Sequence, residues 1–177
     1  MTANRLTQIK MLVSDVDGVL TEGTIYYGAA DIEMKAFNIK DGLGIRLAGW
    51  AGLPVVWLTG RCSDAVRRRA AELQVPVQQG VGDKAAGLRA IAAAHGCTLE
   101  EIAYLADDLN DLPALRLAGF PVAVADAVPE VRAIAAYTTQ APGGRGAMRE
   151  VIEYILRAQG RWEGAVATFL ERVKSEG

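Results

Sequence analysis

Short apolar runs alternate along the chain with longer segments of helical spacing. Runs at 9–14, 54–59 (PVVWLT), 75–78 (VPVQ), 102–106 (IAYLA) and 121–125 (PVAVA) are too short for helices and read as buried strands. Between them, helix-patterned segments fall at about 42–51, 63–73, 84–95, 110–118 and 128–135, with Asp41, Ser63, Asp83 and Asn110 placed as N-caps. Strands alternating with helices at this spacing predict an α/β fold: a Rossmann-like, doubly wound parallel sheet covered on both faces. Residues 24–37 break the pattern. Their aromatic and β-branched positions flank Gly28-Ala29-Ala30-Asp31, which predicts a β-hairpin. From 144 to about 174 the chain reads as helical with a break at Gly160, and 161–177 forms a helical tail. There is no internal repeat or linker, so a single domain over 1–177 is expected.

Composition narrows the partners. A chain of 177 residues, 51% hydrophobic and 23% charged, suits one domain with a core able to fold alone. Its 19 basic and 21 acidic residues give a formal charge of −2 without long blocks, which argues against nucleic acid and anionic membranes as partners. The start, MTANRLTQIK, lacks the apolar core of a signal peptide, and no stretch reaches the roughly 18 apolar residues of a membrane span. A cytoplasmic protein with a small soluble partner is the expectation. Cys62 and Cys97 form no CxxC and His95 is the only histidine, so a zinc site of the usual ligands is hard to assemble.

The stretch LVSDVDGVLTEG places Asp15 and Asp17 where the first apolar run gives out. In an open parallel sheet, ligands bind beyond the carboxyl ends of the strands. Three further polar groups fall at such ends: Thr59-Gly60-Arg61, Lys84, and the run Asp107-Asp108-Leu109-Asn110-Asp111. Each has a plain structural reading. Asp-x-Asp-Gly can make a turn, Lys84 can be solvated, and the second acidic run can cap a helix. Their coincidence at one sheet edge favours chemistry. The set suits phosphoryl transfer: carboxylates to hold Mg²⁺ and accept a phosphoryl group, a hydroxyl and a lysine for phosphate oxygens, and Asp17 to move protons.

In that order, DVDGVLT (15–21), LTG (58–60), GDK (82–84) and DDLND (107–111) resemble the four motifs of the haloacid dehalogenase superfamily of phosphatases. The resemblance implies Asp15 as nucleophile and metal ligand, and Asp17 as general acid/base that also offers a backbone carbonyl to Mg²⁺. It implies Thr59 and Lys84 as catalytic and phosphate-binding residues, and Asp107 and Asp111 as metal ligands, Asp111 directly or through water. Ala106 stands where the fourth motif usually has Gly.

FNIKDGLGI (37–45), Arg61 with Arg69, and APGGRGAMREVIEYILRAQG (141–160) narrow the resemblance to 3-deoxy-D-manno-octulosonate 8-phosphate phosphatases. This implies hydrolysis of that eight-carbon sugar-acid phosphate through an aspartyl-phosphate, with substrate contacts from Thr59, Gly60, Arg61, Arg69 and Lys84, and a product used in lipopolysaccharide assembly. It also implies a homotetramer without a cap domain, the hairpin standing in the cap's place. The close alternative is a phosphatase for a nine-carbon sugar-acid 9-phosphate, of ketodeoxynonulosonate or sialic acid type. A response-regulator receiver fits poorly, because its acidic pair and phosphoacceptor lie on different strands whereas Asp15 and Asp17 share one.

Overall fold

The structure, a computed structural model, describes residues 5–29 and 32–175. Six parallel strands form the central sheet: β1 (Met11–Ser14), β4 (Val55–Leu58), β5 (Val77–Gln78), β6 (Ile102–Ala106), β7 (Phe120–Ala123) and β8 (Tyr137–Thr138). Their order is β5-β4-β1-β6-β7-β8. Every residue of β1, β4 and β6 is buried, as expected of parallel strands covered on both faces. The chain first winds outward from β1 through β4 to β5, then crosses back to β6 and winds the other way. The reversal opens a crevice at the carboxyl ends of β1 and β6, where such sheets bind ligands.

Helices cover both faces. α1 (Ile39–Trp50) packs against α2 (Asp64–Leu73), α6 (Ala147–Ala158) and α7 (Trp162–Ser175), while α3 (Lys84–His95), α4 (Leu112–Leu115) and α5 (Pro129–Ile134) form a second group. Ser63 and Asp83 cap α2 and α3 as expected, their side chains accepting the Val66 and Ala86 amides. Two expected caps are corrected. α1 starts three residues early, capped by Asn38, whose side chain accepts the Lys40 amide. Asp41 instead accepts the amides of Gly146 and Arg149 at 3.2 and 2.8 Å, and so ties the start of α6 to α1. Asn110 gives way to Asp108, which opens a 3₁₀ turn over Leu109–Asp111 before the short α4.

The hairpin is present but narrower than its sequence pattern: β2 (Tyr26–Tyr27) pairs antiparallel with β3 (Glu33–Met34). Ala30 and Asp31 of its expected turn lie outside the described residues. The tail forms α7 after the break at Gly160. Trp162 and Ala165 are buried, Phe169 stacks on Trp50 at 6.1 Å, and Arg172 lies 5.0 Å over the same indole. Among the described residues, the 3₁₀ turn Leu99–Glu101 and β8 escape the sequence pattern, each too short to show a period.

Candidate active site

The loop after β1 is a compact turn closed on itself. The Val16 carbonyl accepts the amides of Val19, Leu20 and Thr21, and the Thr21 hydroxyl accepts those of Gly18 and Gly23. Gly144 donates to the Val19 carbonyl at 2.8 Å, so the APGGRG segment braces this turn from outside. Asp15 is thereby fixed at the strand end, its amide bonded to the Leu105 carbonyl at 3.0 Å.

Asp15, Asp17, Thr59, Gly60, Arg61 and Asp107, with residues 108–110, line one open basin of about 440 Å³ at this sheet edge. Beneath it, Lys84 is 1% exposed. Its ammonium donates to Asp15 Oδ1 at 2.8 Å, to Asp111 Oδ1 at 2.9 Å and to the Leu58 carbonyl at 3.0 Å. A lysine has three N–H donors, and protein oxygens take all of them. Lys84 therefore fixes Asp15 and balances charge from below, instead of projecting into the basin toward a phosphate. Asp111 is further held by the buried Tyr104 hydroxyl at 2.6 Å, a partner that the motif reading missed. No alternation in β6 could have marked it, because all five residues of that strand are buried.

One carboxylate oxygen from each of Asp15, Asp107 and Asp111 lies within 4.8 Å of the others. Asp107 Oδ1 and Asp111 Oδ2 are buried without a hydrogen-bond partner. Burial, then the charge of Asp111, raises Asp15 to about 7 against the pull of Lys84. Burial and the charges of Asp15, Asp111 and Asp108 raise Asp107 to about 8. Burial alone would depress Lys84, yet Asp15 and Asp111 outweigh it and hold the ammonium above its usual range. Three convergent carboxylates with one lysine and two unused oxygens are a donor set for a hard divalent cation, so the residues fit Mg²⁺.

Thr59 is buried at the end of β4, with its hydroxyl accepting the Arg61 amide at 3.3 Å. The Arg61 side chain stands at the rim, 47% exposed. Arg69 is not brought to the basin. It pairs with Glu72 at 2.7 Å and packs beside Gly42 on the far side of the hairpin, because α2 carries it away from the strand end. Asp17 turns its carboxylate toward the hairpin, where Lys35 forms an ion pair with it. Nothing in the motifs flags Lys35, since a lysine in a short hairpin reads as solvated.

Comparison with known proteins agrees with this architecture. Residues 52–147 match the haloacid dehalogenase-like hydrolase family. The 3-deoxy-D-manno-octulosonate 8-phosphate phosphatase KdsC of Yersinia pestis is 43% identical over 162 residues, 91% of this chain and 87% of that protein. Its counterpart in Escherichia coli strain K12 is 42% identical over 89% of this chain and 84% of its own length. A crystal structure of the Moraxella catarrhalis 3-deoxy-D-manno-octulosonate 8-phosphate phosphatase, in complex with magnesium, phosphate and KDO, superposes with a TM-score of 0.91. It is 40% identical, over 94% of this chain and 97% of the other.

Proposed function

The chain belongs to the haloacid dehalogenase-like hydrolases, and from that membership we propose that it is a Mg²⁺-dependent phosphatase releasing phosphate from 3-deoxy-D-manno-octulosonate 8-phosphate. The carrying observation is the convergence of Asp15, Asp107 and Asp111 over Lys84 at the sheet's switch point, with two buried carboxylate oxygens left unpartnered. The substrate is the one named for relatives covering about nine-tenths of the chain.

Asp15 is the nucleophile: its carboxylate attacks phosphorus as the bond to the sugar oxygen breaks, leaving an aspartyl-phosphate. Asp17 gives a proton to the departing alkoxide, then takes one from the water that opens the acyl phosphate, so Asp15 and inorganic phosphate are regenerated. Lys84 holds Asp15 in place through both steps, while Thr59 and the Gly60 and Arg61 loop border the space for phosphoryl oxygens. Asp15 and Asp107 would hold Mg²⁺ with the Asp17 carbonyl, and Asp111 would support it. When bound, the ion supplies charge neutralisation for the carboxylates and the phosphate.

The domain is read as one phosphatase unit over 1–177, acting in the cytoplasm as a homotetramer. The hairpin supports assembly: Tyr26, Tyr27, Ile32 and Met34 are 46%, 72%, 56% and 54% exposed, an apolar surface that a second copy would cover. The deciding experiment is phosphate release from purified protein, comparing the eight-carbon substrate with nine-carbon sugar-acid 9-phosphates and simple sugar phosphates. Preference for the eight-carbon substrate is expected, and preference for a nine-carbon one would reassign it. Sedimentation of the active protein tests the tetramer.

A further inference from the structure

The proposed substrate carries two anions, and the phosphatase motifs deal with one of them. A second charge cluster sits on the rim of the basin, built largely by the hairpin. Lys35, directly after β3, has no exposed side-chain surface; its ammonium pairs with Asp17 and stands 3.7 Å from Glu33 Oε1. Arg61 approaches the same Glu33 carboxylate from the loop after β4, with Nη2 3.3 Å from Oε2. That Nη2 also reaches the Tyr27 hydroxyl at 3.5 Å, and Nε lies 4.0 Å from Asp17 Oδ2. Glu33 thus sits between two cations with one oxygen toward each, and its Oε1 is buried without a hydrogen-bond partner.

We propose that Lys35 and Arg61 form a two-cation subsite for the second anion of the substrate, a carboxylate, and that Glu33 occupies it as an internal stand-in until the substrate displaces it. This rests on the sugar-acid phosphate reading given above. A tethered carboxylate competes at a high effective concentration, on the order of millimolar for a short flexible tether, so free small anions are shut out. A carboxylate on a molecule already anchored by its phosphate competes on equal terms, because it too is tethered. The stand-in therefore selects for molecules bearing both groups by penalising those bearing one. Lys35 is reached only as Glu33 leaves, which ties its contribution to that exchange.

The test compares kcat/KM for the octulosonate 8-phosphate with kcat/KM for p-nitrophenyl phosphate, which has no carboxylate, in wild type, Lys35→Met and Glu33→Gln. The ratio should fall about tenfold or more in Lys35→Met, chiefly through KM, with part of the loss restored in Lys35→Arg. In Glu33→Gln the ratio should rise about threefold or more, since the internal competitor loses its charge. A ratio within twofold of wild type in Lys35→Met overturns the subsite, and so does a fall carried by kcat with KM unchanged, which would make Lys35 a positioning residue for its ion-pair partner Asp17. An unchanged or lowered ratio in Glu33→Gln overturns the stand-in and makes Glu33 a strut for Arg61. If Lys35→Met does not fold by circular dichroism, Glu33→Gln alone decides. Failure of the substrate reading is seen separately, as wild type that cleaves p-nitrophenyl phosphate but not the octulosonate ester.

Discussion

The Lys84 ammonium lies 2.8 Å from Asp15 Oδ1, and side-chain exposures of 1% and 5% bury the pair at the floor of the basin. Asp111, fully buried, shares the same ammonium at 2.9 Å. Replacing Lys84 with Met keeps the length of the side chain but strands two buried carboxylates. Lys84→Met should lower the unfolding free energy by about 3–5 kcal/mol, as when one partner of a buried pair is removed, and should abolish turnover. Urea denaturation of the metal-free protein at neutral pH checks the first effect. Wild-type stability would mean that the cluster protonates at little cost.

The acidic cluster also sets a pH dependence. Asp15 and Asp107 titrate near 7 and 8 in the folded, metal-free protein, against an ordinary value of 3.8. Between these limits the folded state binds more protons than the unfolded chain, so stability is full at low pH and is lost as pH rises through 7 to 8. Mg²⁺ binds the deprotonated carboxylates, so its stabilisation should grow over that window. Thermal melts should show the metal-free Tm falling from about pH 5 to about pH 8, and the Mg²⁺-induced shift rising over the same range. A shift independent of pH would remove these carboxylates from the metal site.

The two aspartates of the β1 loop should fail differently. Asp15→Asn replaces the proposed carboxylate nucleophile with an amide and should eliminate both turnover and aspartyl-phosphate trapping. Asp17→Asn keeps the backbone in place and loses proton transfer, with a cost of about 10²–10⁴-fold in kcat for an alkoxide leaving group. The loss should be smaller in the p-nitrophenolate burst, where the leaving group needs no proton. Equal losses on the two substrates would take Asp17 out of proton transfer.

Most of the basin is readable from the sequence because the strand pattern fixes which loops share an edge. Asp15, Thr59 and Asp107 each follow an apolar run, and parallel pairing does the rest. What escapes depends on tertiary partners. Asp41 has the look of an N-cap, yet its acceptors are used by α6, over a hundred residues away. Arg69 shares a motif neighbourhood with Arg61, but two helical turns carry it past the rim. Lys35 and Glu33 sit on a hairpin paired over two residues per strand, too short for alternation to say which side chains face the basin.

Gly18 shows how closely the β1 loop approaches Asp107, one of the proposed metal ligands. Its φ of +86° lies in the left-handed region, and a Cβ built there would overlap the Asp107 carboxylate. Gly96, the C-cap residue of α3, provides a control, because its φ is +65° but a Cβ there would meet nothing within 4 Å. Alanine at either position carries the cost of a left-handed non-glycine residue, about 1–2 kcal/mol. Only Gly18→Ala also pushes Asp107 out of line with Asp15 and Asp111. Both variants should therefore lose stability by denaturant melts in the presence of EDTA, Gly18→Ala the more because its Cβ also displaces the Asp107 carboxylate. Mn²⁺ binding followed by electron paramagnetic resonance should weaken about tenfold or more in Gly18→Ala, a loss typical of a disturbed ligand shell, and stay at the wild-type level in Gly96→Ala. Equal Mn²⁺ affinity in the two variants would show that Asp107 is not a ligand, whatever the loss of stability.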